Sequence, residues 1–480
     1  MKKILLLALT ISLFSCSDWL DVNTNPNNPA TVDPFLSIPA VQGSMAAQIG
    51  GIMHNYTGIF AQYIDQTPES MQYNKESTYN LSTSDQLIDR CYAGLYAGAL
   101  EDVNVVLKND AATDADKFVA TVMRVNIFQV LVDQMDQAPY SEALGGAAIP
   151  MPKWDKGADI YAGILAELDA ALETVNAGLP LSGDLFFDNN MAQWIGYAKA
   201  LKLRLLMRSS YAQDNASKIK ALIDEGDFFT GDVKFAAFSD EANKRNPWYE
   251  TNFKALNTQN LAASYPLVTY LLETDDPRIS TLFTPAASSG NYVGIVPGGR
   301  VGDTSLKKIN FSDPATSPVQ PVYFYLQSEL QFFLAEAYLR FYNNDAKAKN
   351  AFEAGIRANF ATRGIAQGTF TVDWTGSTDA KLELIGMQNW VGSAMLNNVE
   401  AWAEVRRTGF PKLSAANGDQ VHANPSIYTA GQLISPMSNV LGNGNLIQRV
   451  LFPESAQKYN KNTPSQEQSN LKDKVWWDKK

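Results

Sequence analysis

Apolar residues recur every three or four positions over two long parts of the chain, about residues 84–211 and about residues 322–407. A repeat of about 3.6 residues is typical of an amphipathic helix, whose apolar face packs on a core. The first part predicts three helices, whose inward-facing residues are Phe118, Val122, Val125, Ile160, Ile164, Leu168, Trp194, Leu201 and Leu205. These helices are long enough to pair as antiparallel hairpins.

The second part predicts a helical hairpin of tetratricopeptide size. Helical spacing covers residues 326–341, breaks at a turn around Asn344, and resumes over residues 348–360. Small and aromatic residues alternate across the contact between the two helices, although the full consensus of the repeat is absent. One further helix is predicted over about 379–407. We therefore expect a mainly α fold built on a tetratricopeptide-like helical-hairpin scaffold.

Two other parts, about residues 226–320 and about residues 412–480, are predicted to be rich in loops. Gly, Pro, Ser, Asn and aromatic residues are scattered there through short pieces of sequence. Long loops on a rigid scaffold usually carry specificity for a ligand. We therefore expect an irregular, loop-rich half that binds the ligand.

The first residues predict export. Lys2 and Lys3 precede an apolar run that ends at Phe14, so residues 1–15 have the pattern of a signal peptide. This run is shorter than the roughly 18–20 apolar residues that span a bilayer. The run ends in Leu-Phe-Ser-Cys, which resembles a bacterial lipobox, and Cys16 is therefore the predicted site of lipidation. The alternative is an ordinary secretory signal followed by a free thiol.

Residues 16–39 are rich in Asn, Asp and Pro, and we expect them to form a lipidated tether between the membrane and the globule. If Cys16 is acylated, Cys91 is the one other cysteine and no disulfide can form. Cys91 lies in a helix-like stretch, and we interpret it as a buried thiol without chemistry.

Composition removes several classes of function. The 480 residues include 39 Lys and Arg against 50 Asp and Glu, which gives a formal net charge of −11. Without a basic cluster, the chain lacks the electrostatic footprint of a nucleic-acid binder. The two histidines, His54 and His422, cannot form a histidine metal cluster, and we expect neither a metal nor a cofactor.

No sequence motif for a catalytic nucleophile, a phosphate loop or a zinc hydrolase is present, and we predict no catalytic residues. A glycoside hydrolase is harder to exclude, because it needs only two carboxylates about 5–9 Å apart in a cleft. Such a pair leaves no signature in the sequence. A binding protein is therefore expected, with a surface glycoside hydrolase as an alternative.

Three aromatic residues, Trp248, Tyr249 and Trp374, lie in polar, loop-like sequence. A flat ring beside amide and charged side chains suits a sugar or a peptide, because the ring covers apolar C–H faces while its neighbours bind hydroxyls or amides. We therefore predict that these rings, together with Asn246 and Arg245, bind the ligand. The alternative is that the rings hold loops together.

Several motifs spread over nearly the whole chain resemble those of one family. They are Cys16–Asn27, Asp133–Ala143, Tyr161–Ala171, Leu201–Arg208 and Trp402–Pro411. Their order and spacing resemble the SusD/RagB family of nutrient-binding outer-membrane lipoproteins of Bacteroidetes, and in particular its SusD-like branch.

The resemblance implies that residues 40–480 form a SusD-like globule anchored at the cell surface in the outer membrane. It further implies that the globule docks on a SusC-like TonB-dependent transporter, to which it delivers an oligosaccharide or a peptide held by the loop-rich half. The competing hypotheses are the surface glycoside hydrolase and a scaffold of an outer-membrane complex that binds no ligand.

Overall fold

The computed structural model describes residues 34–256, 258–299, 302–303 and 305–480. The predicted signal peptide, Cys16 and most of the predicted tether lie outside the described residues. Helices dominate what is described, and this confirms the prediction of a mainly α fold. Of the helices described, none is both long and apolar enough to cross a membrane.

The longer α-helices are Pro34–Gln48, Glu101–Lys108, Asp114–Met135, Gly157–Thr174, Met191–Arg208, Ala216–Glu225, Tyr265–Glu273, Gln327–Arg340, Asp345–Thr362, Thr378–Ser393 and Asn398–Thr408. The shorter ones are His54–Phe60, Asn74–Ser77, Asp89–Ala93, Pro247–Tyr249, Ile279–Leu282, Gly418–Ala423 and Glu454–Tyr459. Turns of π-helix are Ile49–Met53, Gly94–Leu100 and Glu250–Ala255, and turns of 3-10 helix are Thr83–Asp85, Gly146–Ala148, Lys308–Asn310, Pro425–Ile427 and Gln468–Lys472.

The hairpin of helices Gln327–Arg340 and Asp345–Thr362 is the predicted tetratricopeptide-like pair. The side chain of Asn344 caps the second helix by accepting a hydrogen bond from the backbone N–H of Lys347. Phe332 and Phe352 meet across the hairpin with their ring centres 6.1 Å apart. The apolar spacing in the sequence therefore predicted both helices and their contact correctly.

The first described helix, Pro34–Gln48, overlaps the end of the predicted tether at residue 39. Proline is tolerated in the first turn of a helix, whereas Pro39 inside the helix costs about 3 kcal/mol. Burial of Ile38, Val41 and Met45, all 0% exposed, contributes about 1.5–3 kcal/mol for each side chain and outweighs that cost. The globule therefore begins earlier than the proline content of the sequence suggested.

The prediction of a single helix over about 379–407 was wrong, because one helix ends at Ser393 and the next begins at Asn398. Asn397 caps the second helix through the backbone N–H of Glu400. The side chain of Asn398 accepts a hydrogen bond from the backbone N–H of Met395 and donates one to the carbonyl of His54. The break is thus stabilised by contacts with a distant part of the chain.

In the part of the chain that the structure describes, four two-stranded antiparallel sheets connect the loops to the helices. Their pairs are Ile64–Gln66 with Leu261–Ala263, Gln137–Ala138 with Asp155–Lys156, Val233–Phe235 with Val322–Tyr325, and Phe283–Thr284 with Asp313–Pro314. The first pair places Ile64 opposite Ala263 and fixes the middle loop region on the helical part.

The C-terminal loop region packs on the helical scaffold. Trp477 is fully buried, and its indole N–H donates a 2.8 Å hydrogen bond to Asp133 in the helix Asp114–Met135. The backbone N–H of Val450 donates to the carbonyl of Gln134 in the same helix at 2.9 Å. Loop-rich sequence is therefore held firmly by helices far away in the chain.

Candidate functional site

Trp248, one of the predicted ligand-binding rings, lies in the core and is 3% exposed. Its indole N–H donates a 2.8 Å hydrogen bond to Oδ1 of Asn55, and its ring packs edge-on against His54. In this structure the ring has no face open to solvent. Burial of an apolar ring with a satisfied N–H is typical of a packing role.

The side chains of Asn246 and Arg245 also make hydrogen bonds and ion pairs within the protein. The side-chain oxygen of Asn246 caps the turn Pro247–Tyr249, and its amide donates to the carbonyl of Gln320 at 2.8 Å. The guanidinium of Arg245 pairs with Asp240 at 2.5 Å and with Glu250 at 3.0 Å. These side chains hold the loop in place through polar contacts within the protein.

Tyr249 and Trp374 lie nearer the surface and pack on different aromatic side chains. Tyr249 stacks on Phe253 with ring centres 5.3 Å apart. Trp374 packs on Phe352 at 4.9 Å, and its indole N–H donates to Asp345. The structure therefore brings Arg245, Asn246, Trp248 and Tyr249 together along one loop and places Trp374 on the tetratricopeptide-like hairpin.

A narrow crevice is lined by Asn246, Trp248, His54, Gln320 and other side chains. Its volume is about 10 Å³, which is the room of roughly one water molecule. The crevice cannot hold a sugar ring or a peptide. Ligand binding by the predicted cluster would require these side chains to move.

A wider cavity, here called the loop cleft, has a volume of about 1000 Å³. Its described lining comes from three stretches that are distant in sequence, and it consists of Met71, Asn74, Thr78, Asn80, Gly298, Gly302, Asp303, Met437, Ser438 and Val440. The second and third stretches belong to the two loop-rich regions. The cleft is therefore where both loop-rich regions meet the turn-rich stretch around the short helix Asn74–Ser77.

Backbone hydrogen bonds join the three stretches of the loop cleft. They run from the N–H of Val440 to the carbonyl of Thr78 at 3.2 Å, from Met437 to Pro297 at 2.8 Å, and from Gly302 to Pro68 at 3.2 Å. Such bonds fix the relative positions of the loops before any ligand arrives. The cleft is thus a preformed concave surface.

A buried carboxyl group, that of Asp65, holds one of the loops that line the loop cleft. Asp65, in the strand Ile64–Gln66, accepts hydrogen bonds from the backbone N–H of Gln66 at 2.6 Å and of Gly298 at 2.8 Å. Burial raises the pKa of Asp65 to about 8, and these two N–H groups offset part of the rise. Gly298 has φ +106°, and a Cβ there would lie 2.6 Å from the backbone of Met437, so glycine is required.

Gln62 anchors the C-terminal loops in a similar way. Its amide nitrogen donates to the carbonyl of Ile434 at 2.6 Å, and its amide oxygen accepts from the N–H of Ile434 at 2.8 Å. The residues just after the helix His54–Phe60 therefore anchor both loop-rich regions. Sequence reasoning missed Gln62 and Asp65, because a single amide or carboxylate gives no pattern.

The described lining of the cleft suits a neutral, hydroxyl-rich ligand. Amide and hydroxyl groups are present beside exposed apolar side chains, of which Met71 is 68% and Val440 is 45% exposed. Asp303 is the one carboxylate in this described lining, and it accepts hydrogen bonds from Ser305. Hydrolysis of a glycosidic bond uses two carboxylates.

Neither a metal site nor a reactive thiol emerges from the described residues. No group of three or more His, Cys, Asp or Glu side chains could hold a metal ion in the part of the chain that the structure describes. Cys91 is buried, and burial raises the pKa of its thiol to about 12. A thiol with so high a pKa is not a nucleophile near neutral pH.

Comparison with solved structures supports the fold. A chitin-binding protein is 24% identical with a TM-score of 0.72, and the match covers 93% of this chain and 100% of that one. A SusD homolog from Bacteroides uniformis is 20% identical with a TM-score of 0.73 over 92% of this chain and 99% of that one. A chitin-binding SusD homolog from Flavobacterium johnsoniae is 19% identical with a TM-score of 0.73 over 93% and 97%.

No curated protein sequence matches the chain significantly. A family model, SusD-like, described as starch-binding and associating with the outer membrane, matches residues 26–429. This match covers most of the chain and agrees with the motifs, the helical fold and the similar structures. Proteins of this family are binding proteins rather than enzymes, so the expectation of a non-enzyme is confirmed. The chain therefore belongs to the SusD-like family of the SusD/RagB group of Bacteroidetes.

Proposed function

We propose that this protein captures an oligosaccharide in the loop cleft and delivers it to a SusC-like TonB-dependent transporter of the outer membrane. The observation that carries the proposal is the preformed cleft of about 1000 Å³, lined by amide, hydroxyl and exposed apolar groups. This volume lies at the upper end of the range for small-molecule sites and suits several sugar units. The family description and the names of the chitin-binding relatives favour a glycan over a peptide.

The amides of Asn74 and Asn80 would bind sugar hydroxyls, while Met71 and Val440 would cover the C–H faces of the rings. The cleft contains no aromatic ring in its described lining, so stacking contributes little there. We therefore expect weak binding by the isolated protein. A transporter that covers the open side would add contacts and retain the ligand near the entrance of the pore.

The proposed location at the cell surface depends on Cys16, which carries the lipid anchor in this proposal. Several acyl chains on one cysteine hold a protein at a membrane far more firmly than a single chain, because each buried methylene contributes about 0.8 kcal/mol. The residues between Cys16 and the first described helix act as the tether. The acidic globule then lies beside the transporter.

Binding is tested by calorimetric titration of the protein with maltoheptaose, with chitohexaose and with a mixture of peptides. We expect one of the two glycans to bind and the double variant Asn74→Ala/Asn80→Ala to weaken that binding by about tenfold. Tyr459→Ala is the matched control, because Tyr459 is 80% exposed and lies outside the cleft lining. Binding of peptides alone would contradict the glycan proposal.

Delivery is tested by affinity purification of the full-length lipoprotein from outer membranes solubilised in mild detergent. A stoichiometric TonB-dependent transporter among the co-purified proteins is expected. A scaffold would bring down the transporter but bind no nutrient. A surface glycoside hydrolase would release reducing sugar from the glycan, and it would lose that activity when a single carboxylate is replaced.

A further inference from the structure

A second cavity, here called the basic pocket, has a volume of about 420 Å³ and shares no lining residue with the loop cleft. It lies between the C-terminal half of the helix Asn398–Thr408 and two stretches of the last loop region, 444–448 and 472–480. Phe60, Leu413 and Leu433 supply apolar walls. The volume is that of a site for one small molecule rather than for an oligomer.

The charge of the basic pocket is opposite to that of the whole chain. Three cationic side chains, Arg406, Lys472 and Lys474, line it beside the carboxylate of Asp478. Lys480 also contributes to the lining, but its ammonium lies 4.5 Å from the ring centre of Tyr211, outside the pocket. Lys474 already satisfies the carboxylate of Asp478 with a contact of 3.0 Å. In a chain of net charge −11, a cavity with this lining attracts an anion.

Arg406 is held rigidly at the pocket. Its Nε donates to the carbonyl of Trp402 at 3.1 Å and its Nη1 to the carbonyl of Gln448 at 2.8 Å. The guanidinium lies 3.7 Å from the ring centre of Trp402 and 5.1 Å from that of Trp477. A guanidinium fixed in this way loses little freedom when it binds a ligand.

The hydrogen-bonding capacity of Arg406 is incompletely used within the protein. Arg406 is 5% exposed, and its Nη2 is buried without a hydrogen-bond partner. The side-chain oxygen of Gln448, another lining residue, is also buried without a partner. Burial lowers the pKa of Arg406 to about 10, so the guanidinium still carries its charge at neutral pH. A buried donor of this kind is costly unless something accepts its hydrogen bond.

We propose that the basic pocket binds one carboxylate-bearing sugar, a hexuronate or a residue of similar chemistry. The carboxylate pairs with Arg406 and Lys472, the hydroxyls reach Gln448, and the apolar walls cover the ring. A charge-assisted pair with a guanidinium is stronger than a bond between neutral groups, and this favours the acid over a neutral sugar. The inference goes beyond the proposed function, because it concerns a second site with different ligand chemistry.

The test is calorimetric titration of the full-length lipoprotein in detergent at low ionic strength with glucuronate, glucose and inorganic phosphate. We expect glucuronate to bind about tenfold more tightly than glucose and phosphate. Arg406→Gln and, separately, Lys472→Glu should each weaken glucuronate binding by about tenfold or more. Lys472 is exposed, so its variant tests the site even where Arg406→Gln fails to fold.

Lys458→Gln is the matched control, because Lys458 is an exposed cation outside the pocket, and its variant should bind glucuronate unchanged. Equal affinity for glucuronate and phosphate would show a general anion site and would contradict the proposed preference for a sugar acid. Absence of glucuronate binding, or binding unaffected by Lys472→Glu, would overturn the pocket itself. If the double variant Asn74→Ala/Asn80→Ala no longer binds glucuronate, the sugar acid binds in the loop cleft and the basic pocket is not its site. Failure of neutral glycans to bind in the loop cleft would contradict only the proposed function.

Discussion

Oδ2 of Asp65 accepts a 2.8 Å hydrogen bond from the backbone N–H of Gly298, although 233 positions separate the two residues in the chain. The bond connects a buried strand beside the helical scaffold to the loop that lines the loop cleft. Because the carboxyl group is buried, its pKa is raised to about 8. The protonation of Asp65 therefore makes the stability of the fold depend on pH.

Asp65→Asn should remove that dependence. Between about pH 4 and about pH 8 the unfolded chain releases the proton of Asp65 while the folded chain keeps it, so stability falls as the pH rises, by up to about 1.4 kcal/mol per pH unit. Between about pH 6.5 and about pH 8, the free energy of unfolding measured with urea should fall by about 2 kcal/mol more for wild type than for the variant. Equal losses would contradict the raised pKa.

Trp248→Ala should lower the free energy of unfolding. Removing a ring that is 3% exposed leaves a cavity and deletes the 2.8 Å hydrogen bond to Asn55, and we expect a loss of about 3–5 kcal/mol in the free energy of unfolding. Trp248→Phe, which keeps most of the packing, should retain glycan affinity. If Trp248→Phe folds as stably as wild type but no longer binds the glycan, the ring acts on the ligand as the sequence predicted.

Glu336→Gln should be strongly destabilising. Burial raises the pKa of Glu336, but its ion pairs with Arg407 and Arg340 outweigh this and lower the pKa to about 2. The variant removes the buried charge that both guanidinium groups share and leaves Arg407 with Glu404 as its remaining ion-pair partner, and we expect a loss of about 3–5 kcal/mol. Wild type should lose the same stabilisation as the pH falls from about 4.5 towards 2, because the carboxylate is then protonated.

Glu353→Gln is the matched control for this prediction. Glu353 also pairs with a cation one helical turn away, Lys349, but both side chains are about half exposed, at 43% and 52%. We expect its replacement to change the free energy of unfolding by less than about 0.5 kcal/mol. Thermal or urea unfolding of both variants would measure the difference, and comparable losses would argue against the importance of burial.

His54→Gln should make the free energy of unfolding depend less on pH below about pH 6.5. Burial lowers the pKa of His54 to about 4, so between about pH 6.5 and about pH 4 the unfolded chain takes up a proton that the folded chain does not. Stability from this residue therefore falls with falling pH, by up to about 3 kcal/mol. A variant whose stability declines as steeply as wild type over this interval would show that His54 titrates normally.

Cys16→Ala should abolish the association of the protein with the outer membrane. Without the thiol no acyl chain can be attached, and the signal peptide cannot be cut at the lipobox. Membrane fractionation of whole cells should find wild type with the outer membrane and the variant elsewhere. Cys91→Ala is the control, because that thiol is buried in the globule and its loss should leave the membrane association unchanged.

Much of the helical scaffold was predictable from the sequence. The helix predicted from the spacing of Trp194, Leu201 and Leu205 spans Met191–Arg208, because an apolar repeat of 3.6 residues is a local property of the chain. The same repeat does not show that Arg204 and Arg208 are buried in ion pairs with Glu329 and Asp133. Those partners lie on other helices, and only packing brings them within reach.

The aromatic residues show the limit of composition as a guide to a site. Trp248 lies among polar residues in the sequence, yet its ring is buried beside His54 because the loop folds inward and Asn55 satisfies its N–H. Conversely, Lys472 and Arg406 are far apart in the chain and line one pocket. Neighbours in sequence describe the local polarity, whereas exposure depends on contacts across the fold.

By itself, the sequence determined the helical class, the loop-rich regions and the family, because periodicity, loop composition and ordered motifs are read along the chain. Only the tertiary structure decided where ligands can bind. The loops around the loop cleft are held in place by hydrogen bonds such as those of Asp65 with Gly298 and of Gln62 with Ile434, each between residues hundreds of positions apart. Such contacts form when the core packs, and no local pattern specifies them.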